Sequence, residues 1–292
     1  MQLIPGRFEV NMKKSYDKDT EIELLLQLIY DLCNSKAGIT VTSENRWYVD
    51  AESVIAKIFN HLSTIHYLFK GTFFKLPKNN KTQHFFDHSS ISTIARVAIE
   101  TYLTLYYLFI HNCSDLERNF RYAMWELGGL YNRQQYYQFS NATIQKQVEE
   151  SDQVRDLRKN ITQNPLFEHL SKGLKKKALK GEWRLSNSWS DIAEIAGFDI
   201  AVFKTMYNHL SSFSHTDSLS IYQIKQAINT NDQQMLCEMP KNISLILLSH
   251  LAKSFEKIFP EAKHLIDKSE EIRLLVEKHY ISFKEFEQMK KS

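Results

Sequence analysis

The chain has 292 residues, 43% hydrophobic, 24% charged and 12% aromatic. That is enough apolar material for a sizeable core and excludes a disordered chain. With 8 Gly and 5 Pro it lacks the punctuation of a turn-rich all-β fold, and a net charge of +3 names no partner class. Three widely separated cysteines, Cys33, Cys113 and Cys237, exclude a zinc ribbon and argue against a disulfide framework. The opening MQLIPGRFEV has no basic segment followed by an apolar run of the signal-peptide kind. The most lipid-like stretch, 97–110, is about 14 residues where a span needs about 20, and it carries Glu100. The expectation is an all-α, cytoplasmic protein with no membrane partner, built as a single compact helical-bundle domain over 19–292 behind a mobile segment of eighteen residues.

In chain order, residues 19–34 carry Ile22, Leu25, Leu26, Ile29 and Leu32 at helical spacing. Residues 36–45 read as a loop. A long helix over 47–69 follows, with Val54, Ile55, Ile58, Leu62, Ile65 and Phe69 on one stripe. The run KLPKNNK at 75–81 is a breaker by its Pro and Asn content. Ser89 or Ser90 can N-cap a helix running to about 111. Asp115 opens another, in which Gly128-Gly129 marks a kink or a close helix contact. Residues 141–179 are charged and helical with an interruption near Pro165. A connector over 181–190 carries Trp183 and Trp189. Ser190 or Asp191 caps a short helix ending at Gly197, and Asp199 caps the helix 200–215. Helices near 218–229, 241–258 and 270–289 finish the chain, with Pro240 at a start. No segment alternates as a strand does.

Phosphate-cradling glycine motifs, a nucleophile elbow and an HExxH zinc pair are absent from the sequence. His84 and His88 stand at i,i+4 spacing, as a metal half-site on one helix face or as loop residues. On the apolar helix 91–110, Arg96 and Glu100 lie one turn apart. An unpaired buried charge costs several kcal/mol, so the two pair with each other or with a neighbouring helix. They read either as a structural ion pair that fixes register or as the charged floor of a site.

On the helix 200–215, Asn208, Ser211, Ser212 and His215 stack on one polar stripe by helical geometry, with Lys204 one turn earlier. A histidine at a helix C-terminus is suited to proton transfer; such a stripe also serves as a plain solvated face. A third feature is the run Lys172, Lys175, Lys176, Lys177, Lys180 and Arg184 beside Trp183 and Trp189. It reads as a grip on a nucleic-acid backbone with a stacking ring or as a solvated lysine face.

The order of these features resembles a bacterial helical family with the pattern Tyr-Arg-x-Leu-Ser-x-x-x-His, itself similar to the HEPN (higher eukaryotes and prokaryotes nucleotide-binding) superfamily. The residues that carry the resemblance are Arg96 and Glu100 on an apolar helix, then Tyr207, Leu210, Ser211 and His215. They span about 91–220, less than half of the chain. The resemblance implies an α-bundle that pairs as a homodimer, and a metal-independent ribonuclease or RNA-binding effector of phage-defence or toxin–antitoxin systems, with an antitoxin or other protein partner. It calls for no cofactor and no metal. His215 would move protons around a ribose 2′-OH and its phosphate, and Arg96, Glu100 and Asn208 would complete the catalytic set. Tyr207, Lys204, His209, Ser211 and Ser212 would contact substrate. The chain departs from the pattern at Asn208, where the motif has Arg: an amide can donate to a phosphate oxygen but carries no charge, and a single oxyanion donor is worth about 3 kcal/mol in other enzymes. The reading from a different class is a non-catalytic helical module that binds a partner protein or a nucleotide.

Overall fold

The sequence's apolar stripes become helices in nearly every case, because each stripe supplies a face wide enough to bury. The structure, a computed structural model, describes residues 16–38, 40, 46–136 and 141–280. Residues 1–15, most of the 39–45 loop and the 281–289 part of the last expected helix lie outside these. By their contacts the described residues form two units, one within Met1–Ile110 and Ala193–Ser292, the other within His111–Ile192.

The first unit opens with α1 (Lys18–Asn34), capped by the Asp17 carboxylate, which accepts from the Thr20 N–H. The stripe of the long second helix, α2 (Trp47–Leu68), buries Val54, Ile55, Ile58, Leu62 and Ile65 as expected. A hairpin follows where the sequence suggested only a breaker: β1 (Thr72–Lys75) pairs antiparallel with β2 (Thr82–Phe85), Phe73 opposite His84. The Pro/Asn run is its loop, closed by the Leu76 N–H on the Lys81 carbonyl at 2.8 Å, with Asn80 at φ 57°. Both faces of the ribbon are largely exposed, so it lacks the apolar alternation that signals a half-buried strand.

Helix α3 (His88–Leu105) is the central helix of this unit, packed against α2 and two later helices. Its N-cap is Asp87 rather than Ser89 or Ser90; the carboxylate accepts from both the N–H and the hydroxyl of Ser90. A capping carboxylate bonded twice outcompetes a serine already inside the first turn. The helix widens into a π-turn over Tyr106–Ile110.

The second unit contains α4 (Asp115–Gln134), α5 (Asn141–Gln163), the short α6 (Pro165–Glu168) and α7 (Lys172–Ala178). Its core is Phe120, Met124, Leu127, Val154, Ile161 and Ala178. The Gly128-Gly129 pair marks a close contact and not a break. A Cβ on Gly128 would lie 2.5 Å from the Gly181 carbonyl oxygen, and one on Gly181, at φ 76°, would lie 2.1 Å from the Gly128 nitrogen. The boundary between the units falls inside α8 (Trp189–Ile195). Ser188, not Ser190 or Asp191, opens α8: its hydroxyl accepts from the Asp191 N–H while the Asp191 carboxylate accepts from the Ser188 N–H, a reciprocal cap that places the start earlier.

The first unit resumes with α9 (Ile200–Ser214), capped by Asp199 as expected, and α10 (Ser218–Gln226). Helix α11 (Thr230–Ile258) runs through Pro240 instead of starting at it. The proline removes one backbone bond, yet its ring is buried and Lys241 pairs with Asp19 of α1 at 2.8 Å, so packing on both sides overrides the local penalty. Helices α12 (Lys263–Asp267) and α13 (Glu270–His279) close the chain, α13 tied to α1 where Lys278 and His279 both meet the buried Glu21.

Candidate functional site on α3 and α9

Helices α3 and α9 run antiparallel: the His88 ring meets Phe213 edge-on at 5.7 Å, while eight residues along α3 Arg96 reaches Tyr207 and His215. The i,i+4 spacing puts His88, Ser92, Arg96 and Glu100 on one stripe of α3. Arg96 and Glu100 do pair with each other, Nε to Oε1 at 3.1 Å, and the pair is completed by α9. The Arg96 Nη2 donates to the Tyr207 phenol at 3.2 Å, and that phenol donates in turn to Glu100 Oε1 at 2.5 Å. The guanidinium also lies over the Tyr207 ring, 5.2 Å from its centre, and Phe203 stacks on the same ring one turn earlier.

The fourth member is His215. Arg96 Nη1 stands 2.9 Å from its Nε2. A guanidinium only donates, so Nε2 accepts and the ring proton sits on Nδ1. His215 itself is the residue that terminates α9, its N–H bonded to the Ser211 carbonyl, and it is exposed. Thr216 follows at φ 54°, a left-handed conformation uncommon for a β-branched residue.

Burial works against the charge on Arg96, but the hydrogen bonds and charges of Tyr207 and Glu100 outweigh it, so its pKa stands above the ordinary guanidinium value. Burial first, and then the carboxylate that accepts its proton, hold the Tyr207 phenol above its usual range despite Arg96. The phenol is therefore a donor at neutral pH. Together the cluster offers a fixed cation, an exposed imidazole and a phenol. Glu100, Tyr207 and His215 take three of the guanidinium's five N–H donors, leaving two for an incoming anion.

The remaining stripe residues are not gathered with these four. Asn208 and Lys204 are exposed on α9. The Ser211 hydroxyl donates to the Tyr207 carbonyl at 2.6 Å. Ser212 is buried, and its hydroxyl donates to the His209 carbonyl at 2.7 Å. Burial lowers the pKa of His209, whose ring lies edge-on to Phe213. His84 and His88 do not share a helix face: His84 is on β2, stacked on Phe73, and His88 is buried at the start of α3. No group of three or more His, Cys, Asp or Glu placed to hold a metal ion occurs among the described residues.

The lysine run lies in the second unit. Lys172, Lys176, Lys177 and Lys180 are exposed, while Lys175 lies over the Phe167 ring at 5.4 Å. Arg184 sits 4.3 Å over the Trp189 ring, and Trp183 meets Trp189 edge-on at 6.2 Å. Lys177 also donates to the Leu185 carbonyl at 3.3 Å.

A family model described as a family of unknown function, DUF5677, matches residues 55–235, more than half of the chain. The chain belongs to the DUF5677 family. The match takes in α3, α9, and all four residues of the cluster, as well as the lysine run, and it leaves α1, α12 and α13 outside. No curated protein and no solved structure matches this DUF5677 chain. Among the described residues no helix is long and apolar enough to cross a membrane.

Sequence reasoning put Tyr207 among substrate contacts and missed its bridging position between Arg96 and Glu100. Its place two turns before His215, on the α9 stripe, was the available signal.

Proposed function

We propose that this protein is an RNA-cleaving effector of the HEPN type, acting as a homodimer in phage defence or as a toxin, with the Arg96–His215 pair as its phosphodiester site. The observation that carries this reading is the 2.9 Å contact between guanidinium and imidazole, residues 119 apart in sequence. It gives the site the cation that position 208 lacks. In the reaction, the bound phosphate takes over the Arg96 Nη1 donor, which frees His215 Nε2. That nitrogen takes the proton of a ribose 2′-OH as the oxygen attacks the adjacent phosphorus, then returns it to the departing 5′-oxygen. The products are a 2′,3′-cyclic phosphate and a free 5′-OH, with no metal required. The two remaining Arg96 donors hold the non-bridging oxygens as charge grows on them. Glu100 and Tyr207 keep the guanidinium in place and do not meet the substrate.

Self-association has its own support: Leu219, Ile221, Tyr222 and Ile224 of α10, which starts three residues after His215, are exposed large apolar side chains, apolar surface of the kind a second copy covers. Light scattering on the purified chain reads this directly.

The test of the catalytic reading is total RNA integrity after induction of the wild type, His215→Ala and Arg96→Ala. Fragmented RNA with the wild type alone, persisting in EDTA with purified protein, is the expected result. Intact RNA with all three, or equal fragmentation, overturns it.

A non-catalytic module that binds a partner protein or nucleotide is the second reading. It is favoured by the hydroxyls of Ser211 and Ser212 being spent on helix carbonyls. Under it, Arg96→Ala lowers thermal stability and RNA stays intact throughout.

A further inference from the structure

The hairpin of β1 and β2 is a second surface with no part in the cluster above, and its chemistry is specific. Phe73 is 66% exposed and Phe74 54%, positions where a strand that served only to pack would carry polar residues. Phe73 and His84, directly opposite across the ladder, stack with ring centres 4.4 Å apart and planes within 8°. The stack depends on Gly71, at φ 84°, because a Cβ there would lie 2.3 Å from His84 Nε2. The exposed lysines Lys75, Lys78 and Lys81 flank these rings, and no acidic residue occurs from Gly71 to Phe86. Flat rings with an open face, interleaved with cations and free of carboxylates, are what a single-stranded nucleic acid binds: bases stack on the rings and phosphates meet the lysines.

Placement agrees. Strand β2 ends three residues before His88, whose ring touches Phe213, two residues before His215. The hairpin therefore leaves the α3–α9 pair at the end where α9 presents His215, and Arg96 lies about 12 Å along α3 from His88.

We infer that the β1–β2 hairpin is a binding arm for single-stranded nucleic acid, with the paired Phe73 and His84 stacking bases on one face of the ribbon, Phe74 offering a ring on the other, and Lys75, Lys78 and Lys81 holding the backbone. This deepens the RNA-directed reading of the Arg96–His215 site and rests on it for the identity of the strand as RNA.

The experiment is fluorescence anisotropy of the full chain with a labelled 2′-O-methyl RNA oligonucleotide and its DNA counterpart. Neither has a free 2′-OH, so binding is read whether or not the chain cleaves. The wild type binds both, with a slope of log affinity against log salt of about −2 for three phosphate contacts. Phe73→Ser/Phe74→Ser weakens binding by about tenfold or more. Lys75→Glu/Lys78→Glu/Lys81→Glu weakens it further and flattens the salt slope, and this lysine variant answers the question if the double serine variant fails to fold. Wild-type affinity in the correctly folded variants overturns the proposal. So does absence of oligonucleotide binding by the wild type, or binding to vesicles containing phosphatidylserine in place of the oligonucleotides. A chain that binds the oligonucleotide through the hairpin but never fragments RNA keeps the arm and loses the catalytic reading. A chain that fragments RNA with its hairpin variants unaffected does the reverse.

Discussion

The two halves of α3 treat polar groups in opposite ways. In the N-terminal half, His88 is 6% exposed and Ser92 fully buried, and neither ring nitrogen nor hydroxyl has a hydrogen-bond partner among the described residues. One and two turns on, the Arg96 and Glu100 side chains are 19% and 25% exposed, and both charges are partnered: by each other, by Tyr207 and, for Arg96, by His215. The stripe thus leaves unmet only groups that can be neutral, at about 1–3 kcal/mol each, and surrounds its charges with partners, since an unmet buried charge costs more. The partnered half opens to solvent at His215; the unmet half does not.

The most forceful way to break this contrast is Glu100→Ala, which leaves Arg96 without its anion. Full burial would make that cost about 3–5 kcal/mol; partial exposure reduces the expectation to about 2 kcal/mol, read as a shift in urea midpoint. Tyr207→Phe removes the bridging phenol while keeping the ring under the guanidinium, and should cost about 1 kcal/mol in the same titration.

The other half should respond with the opposite sign. His88→Leu removes two unmet nitrogens and is expected to stabilise by slightly less than that, about 0.5–1 kcal/mol. It also changes the acid limb. Burial lowers the pKa of His88 in the folded chain, so below about 6.5 the unfolded chain takes up the proton first and stability falls as pH falls. The loss begins near the unfolded value and continues toward the lower folded one. His61, His111 and His209, likewise lowered mainly by burial, share in it, so His88→Leu shrinks the acid-induced loss of midpoint without removing it. An unchanged acid limb would show that His88 contributes nothing to it. The smallest stability effect belongs to His215→Ala, below about 0.5 kcal/mol because the ring is exposed, although this substitution is expected to abolish RNA cleavage. A large drop in its melting temperature would mean that the imidazole holds the helices together.

What the sequence displays is what depends on near neighbours. The α2 stripe, the Asp199 cap of α9 and the Arg96–Glu100 pair one turn apart all follow from spacing. What it hides needs tertiary knowledge. Nothing local announces that the guanidinium of residue 96 meets the ring of residue 215 or the phenol of 207. Pro240 reads as a helix start until packing on both sides carries the helix through it. The hairpin escapes because its strands bury neither face, so the pattern that betrays a strand never arises. Asp87 and Ser188 win the capping positions by reciprocal or double bonds that sequence preference alone ranks level with their serine neighbours.

The meeting of Gly128 with Gly181 has a bearing on the lysine run. Backbone touches backbone there, so no second substitution can relieve a methyl group added to either residue; the two positions are locked to glycine separately and for good. Lys180 is the immediate neighbour of Gly181 and Arg184 follows three residues later, which means the cationic stretch is moored at one end to the middle of α4. The run is thereby held as a fixed rail and not as a trailing fringe.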